Sequence, residues 1–460
     1  MKMDKYNADI IKNITGTGWL RHTVIRLAIV LLVVLSGLCL GNVAHENGAG
    51  SVSEAKTIAH RGVWVAFYEF SAAGLSNRTE AAFRVNAEKL FKNIKSYGCN
   101  DVYFHVRMFD DAIYPSNVVG WSEYISSDKR SPGYDPLQIL VEACHAKGLK
   151  FHAWMNPYRV TADKILNPAK QKTIDRITAQ VKEIIDNYEV DGIHFDDYFY
   201  SGTKYASVKP AKRRKKVNKM VRAVYRTVKA KDENLLFGIS PAGNYEYAME
   251  IGADVKTWMS NPGYIDYIIP QIYWSDQYKL GGKVTSLFSE RLELWRSLNV
   301  IDVPMYIGLG LYRTGIASST DLGWGKKDTN IAEQIGQISS GNSEGYVLFA
   351  YTDLFADHAK NEVQTFLNAI AWIKLNKTSV ELKPGETFTL EPKWKPAKYV
   401  YGDDFEFKSF DETIATVDDM GVITAVSPGT VKIQVYAEGK KKNCTVTVSG
   451  DEPVSEQPQN

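Results

Sequence analysis

Eight short runs of β-branched and aromatic residues recur through the middle of this 460-residue chain, at 63–67, 101–106, 149–154, 192–195, 235–240, 267–272, 304–308 and 346–350. Their starts fall about 40 residues apart, and helical patterns such as 81–97, 136–147 and 174–187 stand between them. Parallel strands need a crossover connection, usually a helix, so repeated strand–helix units imply a parallel sheet. Eight such units in a stretch of this length match a closed (β/α)8 barrel. An open doubly wound sheet is the competitor, but no Gly-rich phosphate loop follows any run, and Gly308-Leu309-Gly310 is only a fragment of one. The expected fold class is therefore α/β, a TIM barrel over residues 51–372.

After Trp372 the alternation stops and Lys, Thr and Val rise. Short strand patterns at 379–382, 387–394, 414–418, 422–425, 430–437 and 443–448, several separated by turn pairs such as Pro384-Gly385 and Met420-Gly421, predict a small β-sandwich over 373–449. The last residues, 450–460, are rich in Pro, Glu, Gln and Ser and read as a disordered tail. Residues 1–50 hold an uncharged apolar stretch, LAIVLLVVLSGLCLGNVA at 27–44, behind Lys2, Lys5, Lys12, Arg21 and Arg26. That order is an export signal, cleaved or kept as an anchor, which places the remainder outside the cytoplasm or at the cell envelope. Cys39 lies inside this stretch. Of the other cysteines, Cys444 falls in the sandwich, leaving Cys99 and Cys144 as the plausible internal pair.

Lys+Arg 55 against Asp+Glu 53 gives a formal charge of +2, so no global field points to nucleic acid. The excess is aromatic instead, with 10 Trp, 26 Tyr and 18 Phe, and a flat ring with a polar tip suits sugar faces. One local basic run, KPAKRRKKVNK at 209–219, reads as a solvated helix start, with attraction to anionic wall polymers as its alternative.

A barrel enzyme works at the C-terminal ends of its strands. Here those ends carry His105 and Arg107 leading to Asp110 and Asp111, then Trp154 leading to Asn156, Tyr158 and Arg159. The fourth run supplies His194, Asp196, Asp197, Tyr198 and Tyr200, and the sixth Gln271, Tyr273 and Trp274. Side chains alternate along a strand, so Ile193 and Phe195 should face the helices while His194 and Asp196 face the barrel axis. Asp197 can also turn into the mouth, and two adjacent carboxylates push their pKa values apart. Glycoside hydrolysis uses such a division, but its two carboxyl groups stand ~5–9.5 Å apart across the bond, so a carboxyl from another strand, Asp111, is the candidate partner. His105, His152 and His194 end three consecutive strands and could hold a metal, yet the H-x-H pair typical of barrel metallohydrolases is absent, and no metal or cofactor is expected.

The stretches Arg61-Gly62-Val63-Trp64, DVYFHVR through DAIYPS (101–116), HAWMNPYR (152–159), DGIHFDDYFY (191–200), GISPAGN (238–244) and YIDYIIPQIYW (264–274) resemble, in order, the bacterial glycosyl-hydrolase-like family 10 proteins. The resemblance implies a TIM barrel with glycosidase action on bacterial polysaccharide, some relatives being linked to peptidoglycan glycan strands. It carries Asp196, Asp197, Asp111, Asn156, Tyr158, Arg159, Gln271 and Tyr273 into the cleft, and Met108-Phe109 departs from its pattern. Residues 374–449 resemble a group-2 bacterial immunoglobulin-like domain at Val380-Glu381-Leu382, Pro384-Gly385, 414–417, 421–425 and Gly429-Thr430, which implies an adhesive or spacer module.

The expected function is an exported O-glycosidase, retaining or inverting, acting on a cell-wall glycan. Asp196 would be nucleophile or base, with Asp197 and Asp111 as acid or orienting groups. Tyr198, Tyr200, Tyr273 and Trp274 would pack on sugar faces, and His105, Arg107, Asn156 and Gln271 would bind hydroxyls, with Tyr158, Arg159 and His194 completing the cleft. The rivals are a non-catalytic wall-binding protein and a metal-dependent deacetylase built on His105, His152 and His194.

Overall fold

The computed structural model describes residues 58–201, 205–339, 344–396 and 405–450; the apolar stretch at 27–44 with Cys39, and the tail from 451, lie outside them. Eight parallel strands close into a barrel: β1 (Arg61–Val65), β2 (Asp101–Arg107), β3 (Lys150–Met155), β4 (Gly192–Asp196), β5 (Leu236–Ser240), β6 (Tyr267–Ile268), β7 (Met305–Leu309) and β8 (Glu344–Leu348). Each pairs with its sequence neighbours, and β1 meets both β2 and β8. All eight expected runs are barrel strands. The sixth is the shortest because Pro270 has no N–H for the ladder. The chain nonetheless stays alongside β5 and β7 through single bridges at Gln271 to Ala242 and Gly308.

The helices form where local chemistry starts them. Thr79 caps α1 (Glu80–Ser96), Asp135 caps α2 (Pro136–His145) with Pro136 opening it, and Pro210 opens α4 (Pro210–Lys231). Along α3 (Gln171–Asn187), Ile174, Ile177, Val181, Ile184 and Ile185 make one buried stripe, and Val217, Val221, Val224 and Val228 do the same on α4. The basic run is thus the first turns of α4, with one exception. Arg213 is buried, and its guanidinium donates to the carbonyls of Tyr205, Ala206, Val208 and Glu250, fastening two loops to the helix. Cys99 and Cys144 are both buried and both free, so the pairing suggested by elimination does not form.

Parity along the strands fixes two cores. Val63, Val102, Phe104, Phe151, Ile193, Phe195, Phe237 and Ile239 point outward into the helix layer. Trp64, Tyr103, Trp154, Tyr267 and Val347 point inward and fill the axis. The inward set is unusually polar, so its members satisfy one another. His152 Nε2 meets Asp101 Oδ1 at 3.0 Å, His60 Nε2 meets the Tyr103 hydroxyl at 3.0 Å, and the Tyr267 hydroxyl meets His194 Nδ1 at 3.2 Å. Burial drives the His60 pKa down to about 3 and that of His194 well below its ordinary value, so both are neutral hydrogen-bonding groups.

The C-terminal module is all β, as expected. Strands Ser379–Leu382, Lys440–Val448, Gly429–Ala437 and Glu406–Ser409 form one sheet, and Thr387–Thr389, Val422–Ala425 and Ala415–Val417 a second. The pattern at 387–394 is two strands rather than one, and Trp372–Leu375 and Glu406–Ser409 are strands the sequence pattern did not reveal. The Arg61 guanidinium lies 5.5 Å from the Trp372 ring, where the module leaves the barrel.

Tyr267 can cross the axis only because Gly238 lies beside it in the register; a Cβ there would come within 2.2 Å of the ring. Gly238→Ala is expected to cost about 1–3 kcal/mol of unfolding free energy by overpacking. Urea denaturation measures it, and an unchanged midpoint would mean that Tyr267 is not held as described.

Candidate active site

At the C-terminal mouth of the barrel a cleft is lined by Trp64, Phe67, Tyr68, His105, Trp154, Asn156, Arg159, Asp196, Tyr198, Ser240, Gln271, Tyr273 and Phe349. Asp196 is the carboxyl among them. It ends β4 on the inward face, as strand parity requires, and is 7% exposed. Its Oδ1 accepts the Asp197 N–H at 2.9 Å and the Gln271 side-chain amide at 3.1 Å. The same Gln271 amide donates to the Ser240 carbonyl at 2.8 Å, so its position is fixed from two sides. Gly243 lets this happen: a Cβ there would sit 2.3 Å from the Gln271 carbonyl oxygen.

Asp197 is 8% exposed but does not line the cleft; its Oδ2 accepts the Ala242 N–H at 2.7 Å, drawing the loop after β5 toward β4. Burial raises the pKa of Asp196, opposed by the amides around it and by Arg159. Burial and the neighbouring Asp196 charge raise that of Asp197 well above the carboxylate range, and the two carboxyls share a hydrogen bond. Such a pair holds one proton at pH values where ordinary carboxylates have lost theirs. The N–H donors on Asp196 Oδ1 favour its ionised form, so the proton rests with Asp197 and the cleft-facing Asp196 is suited to act as nucleophile or base.

The cleft wall is aromatic. Tyr273 stacks on Phe349 with centroids 5.6 Å apart, Phe349 meets Trp64 edge-on at 5.8 Å, and His105 lies flat on Trp154 at 3.7 Å. Arg159, 5% exposed, packs its guanidinium 4.1 Å from the Tyr198 ring. Both His105 nitrogens, Trp154 Nε1 and Asn156 Oδ1 are buried without a hydrogen-bond partner. Unpaired buried polar atoms are costly, and here they cluster just beneath the cleft wall.

Seven expected site residues do line the cleft: His105, Asn156, Arg159, Asp196, Tyr198, Gln271 and Tyr273. The others do not. Asp111 turns back to accept the N–H groups of Met108 and Phe109, so it caps the very turn that departs from the resembled pattern. Arg107 is fully buried, donating to the Asn156 carbonyl and to Asp110, which also chelates Arg176. Tyr158 and Tyr200 belong to the outer core, His194 is held one layer below by Tyr267 and Ser240, and Trp274 packs against the outer core while its carbonyl accepts from Gln334. His105, His152 and His194 do not converge: His152 is committed to Asp101 and His194 to Tyr267 and Ser240. Among the described residues no group of three or more His, Cys, Asp or Glu is arranged for a metal ion.

Trp64, Trp154 and Ser240 were missed, although parity marks them, since each stands an even number of positions from an inward neighbour on its own strand. Phe67, Tyr68 and Phe349 sit beyond the strand ends, where no periodicity applies. Glu69 was also missed. It is 1% exposed, accepts Ala66 N–H at 2.7 Å and both Thr352 donors at 2.6 and 2.7 Å, and so clips the loop after β1 to the loop after β8. Burial pushes its pKa up to about 7.

Residues 59–165 and 205–326 match the model of the family described as glycosyl hydrolase-like 10. The barrel belongs to that family. Residues 369–448 match the bacterial Ig-like domain, group 2. With both modules assigned, the protein is a glycoside hydrolase with a C-terminal Ig-like domain. Glycosyl hydrolase DigH of Escherichia coli strain K12 is 26% identical over 372 residues, covering 63% of this chain and 82% of DigH. Glycosyl hydrolase YngK of Bacillus subtilis strain 168 is 28% identical over 296 residues, covering 51% of this chain and 57% of YngK. Among solved structures, the glycoside hydrolase domain of PgaB (BpsB) from Bordetella bronchiseptica superposes with a TM-score of 0.48 at 9% identity, over 67% of this chain and 99% of that one.

The raised carboxyl pair has a stability signature. A carboxyl whose folded pKa lies above its unfolded value favours the folded state at low pH, and that contribution is lost as pH rises through the folded value. Asp196→Asn should therefore raise Tm at pH 8, by about 2–4 °C for each kcal/mol relieved, and the gain should shrink toward pH 4. Thermal melts across this range check it; a variant less stable than the parent at pH 8 contradicts the charge repulsion.

Proposed function

We propose that this glycoside hydrolase is exported and cuts O-glycosidic bonds within bacterial cell-wall glycan, peptidoglycan strands being the preferred substrate. The observation that carries the proposal is the cleft itself: the Asp196 carboxyl faces an open groove walled by seven aromatic rings. Stacked rings bind the apolar faces of sugars, and a few convergent polar side chains fix their hydroxyls. Asp196 acts as nucleophile or base, with Gln271 and the Asp197 amide fixing its carboxylate. Export is supported by the uncharged segment at 27–44 behind basic residues. An Ig-like module suits attachment or spacing at a cell surface.

Purified peptidoglycan strands without stem peptides should yield new reducing ends with the full exported chain. Asp196→Asn should lower that rate on the order of 10³-fold, whereas Asp111→Asn, outside the cleft, should stay within roughly tenfold of the parent. Equal activity of Asp196→Asn and the parent would remove Asp196 from the chemistry.

A further inference from the structure

Over its 22 residues α4 carries ten Lys and Arg side chains and no Asp or Glu. Its exposed cations, Lys212, Lys215, Lys216, Lys219, Arg222 and Arg226, recur at spacings of three and four, so they share one face, opposite the buried Val217, Val221, Val224 and Val228. The stripe runs about 21 Å along the helix with a charge every ~4.5–6 Å. Local energetics oppose it. Lys212 with Lys216, Lys215 with Lys219 and Arg222 with Arg226 are like-charged pairs four apart, and the first turns set cations against the positive end of the helix dipole. Among the described residues the ion pairs of α4 are confined to its C-terminal end, Lys229 with Asp266 at 2.8 Å and Lys231 with Asp186 at 3.5 Å. The acidic side chains closer to the stripe are engaged by amides, Asp175 by Gln171 and Asp254 by Asn218.

The stripe begins at the cleft end of the barrel, because α4 follows β4 and runs back antiparallel to it. Tyr198 lines the cleft, and two residues on, Tyr200 lies 5.8 Å from the Arg213 guanidinium. Lys219 Nζ donates to Gln171 Oε1 at 2.7 Å, which sets the exposed Lys170 and Lys172 of the α3 start beside the stripe. A surface that docks on lipid adds exposed apolar side chains to its cations. Among the described residues no large hydrophobic side chain is exposed on α4 or within 160–176, which favours a polymer over a membrane. The exposed cations are mainly lysines, point charges on flexible stems that suit singly charged phosphates strung along a chain. We infer that this face binds a linear polyanion of repeating phosphodiesters within the cell wall and so holds wall glycan near the barrel mouth. The placement in the wall rests on the function proposed above; the charge complementarity does not.

The test measures binding of the full exported chain to wall sacculi that carry a phosphodiester polymer, and to the same sacculi stripped of it with hydrofluoric acid, which leaves glycan and carboxylates in place. Polymer-bearing sacculi should bind at least roughly tenfold more tightly at about 50 mM salt, and the margin should collapse by about 200 mM. A variant with Lys212→Gln, Lys215→Gln, Lys216→Gln and Arg226→Gln should bind both preparations as the parent binds stripped sacculi. It should cut soluble peptide-free strands at the parent's rate, since none of the four lines the cleft, and melt no lower than the parent, since the charges removed repel one another. Lys212→Arg, Lys215→Arg and Lys216→Arg together should keep full binding. Equal binding of the parent to bearing and stripped sacculi, or undiminished polymer binding by the glutamine variant, would overturn the inference and leave the glycosidase proposal standing. Tighter binding to vesicles of equal parts phosphatidylcholine and phosphatidylglycerol than to polymer-bearing sacculi would overturn it in favour of a membrane surface. Polymer binding as expected, with no cleavage of soluble strands, would overturn the glycosidase proposal alone.

Discussion

Closure of the eight-stranded sheet imposes the constraint on which the rest depends, because every second side chain of each strand must then fill a shared axis. In this barrel the axis is filled with histidines, tyrosines and tryptophans rather than aliphatics alone, and a polar axis is tolerable only when its members pair. Asp101 with His152, and Tyr267 with His194, provide that pairing in the lower layers. His194 in turn reaches Ser240 at 3.0 Å, and Ser240's carbonyl holds Gln271, which holds Asp196. The Asp196 carboxyl is thus the top of a hydrogen-bonded column that begins at the barrel floor.

The same column explains why the top layer differs from those below. Where strands end, the inward side chains lose neighbours on one side, and their polar atoms go unpaired: His105, Trp154 and Asn156. Raising two adjacent aspartates there costs stability, as functional sites commonly do. The loops compensate. Glu69 joins the first and last loops of the barrel, Asp110 ties the second to α3 through Arg176, and Asp197 draws in the fifth.

Fold and site were not equally legible in the sequence. The barrel is written in the spacing of eight apolar runs, and the inward placement of Asp196 follows from parity alone. Parity also marks Trp64, Trp154 and Ser240 as inward-facing, but it does not separate a residue that fills the axis from one that lines the cleft. Positions just past the strand ends are where reading fails: Asp111 and Arg107 have the right types at the right place, but Asp111 folds back on the N–H groups of its own turn and Arg107 is buried against the Asn156 carbonyl and Asp110. Tyr158 and Tyr200 illustrate the other ambiguity, since an aromatic ring after a strand is as good a core residue as a sugar platform. The sandwich strands 372–375 and 406–409 were hidden for a different reason: each is four residues long, too short for its alternation to stand out, and in the second a serine takes an inward position.

The pH dependence of kcat/KM is the most direct test of the account, because it reports the ionisation of the one carboxyl that lines the cleft among the described residues. The account predicts that cleavage of peptide-free glycan strands falls away on the acid side through about 6, the value to which burial raises Asp196, and that Asp196→Asn removes this limb together with the activity. An acid limb at the ordinary carboxylate value, or one that persists in Asp196→Asn, would contradict it.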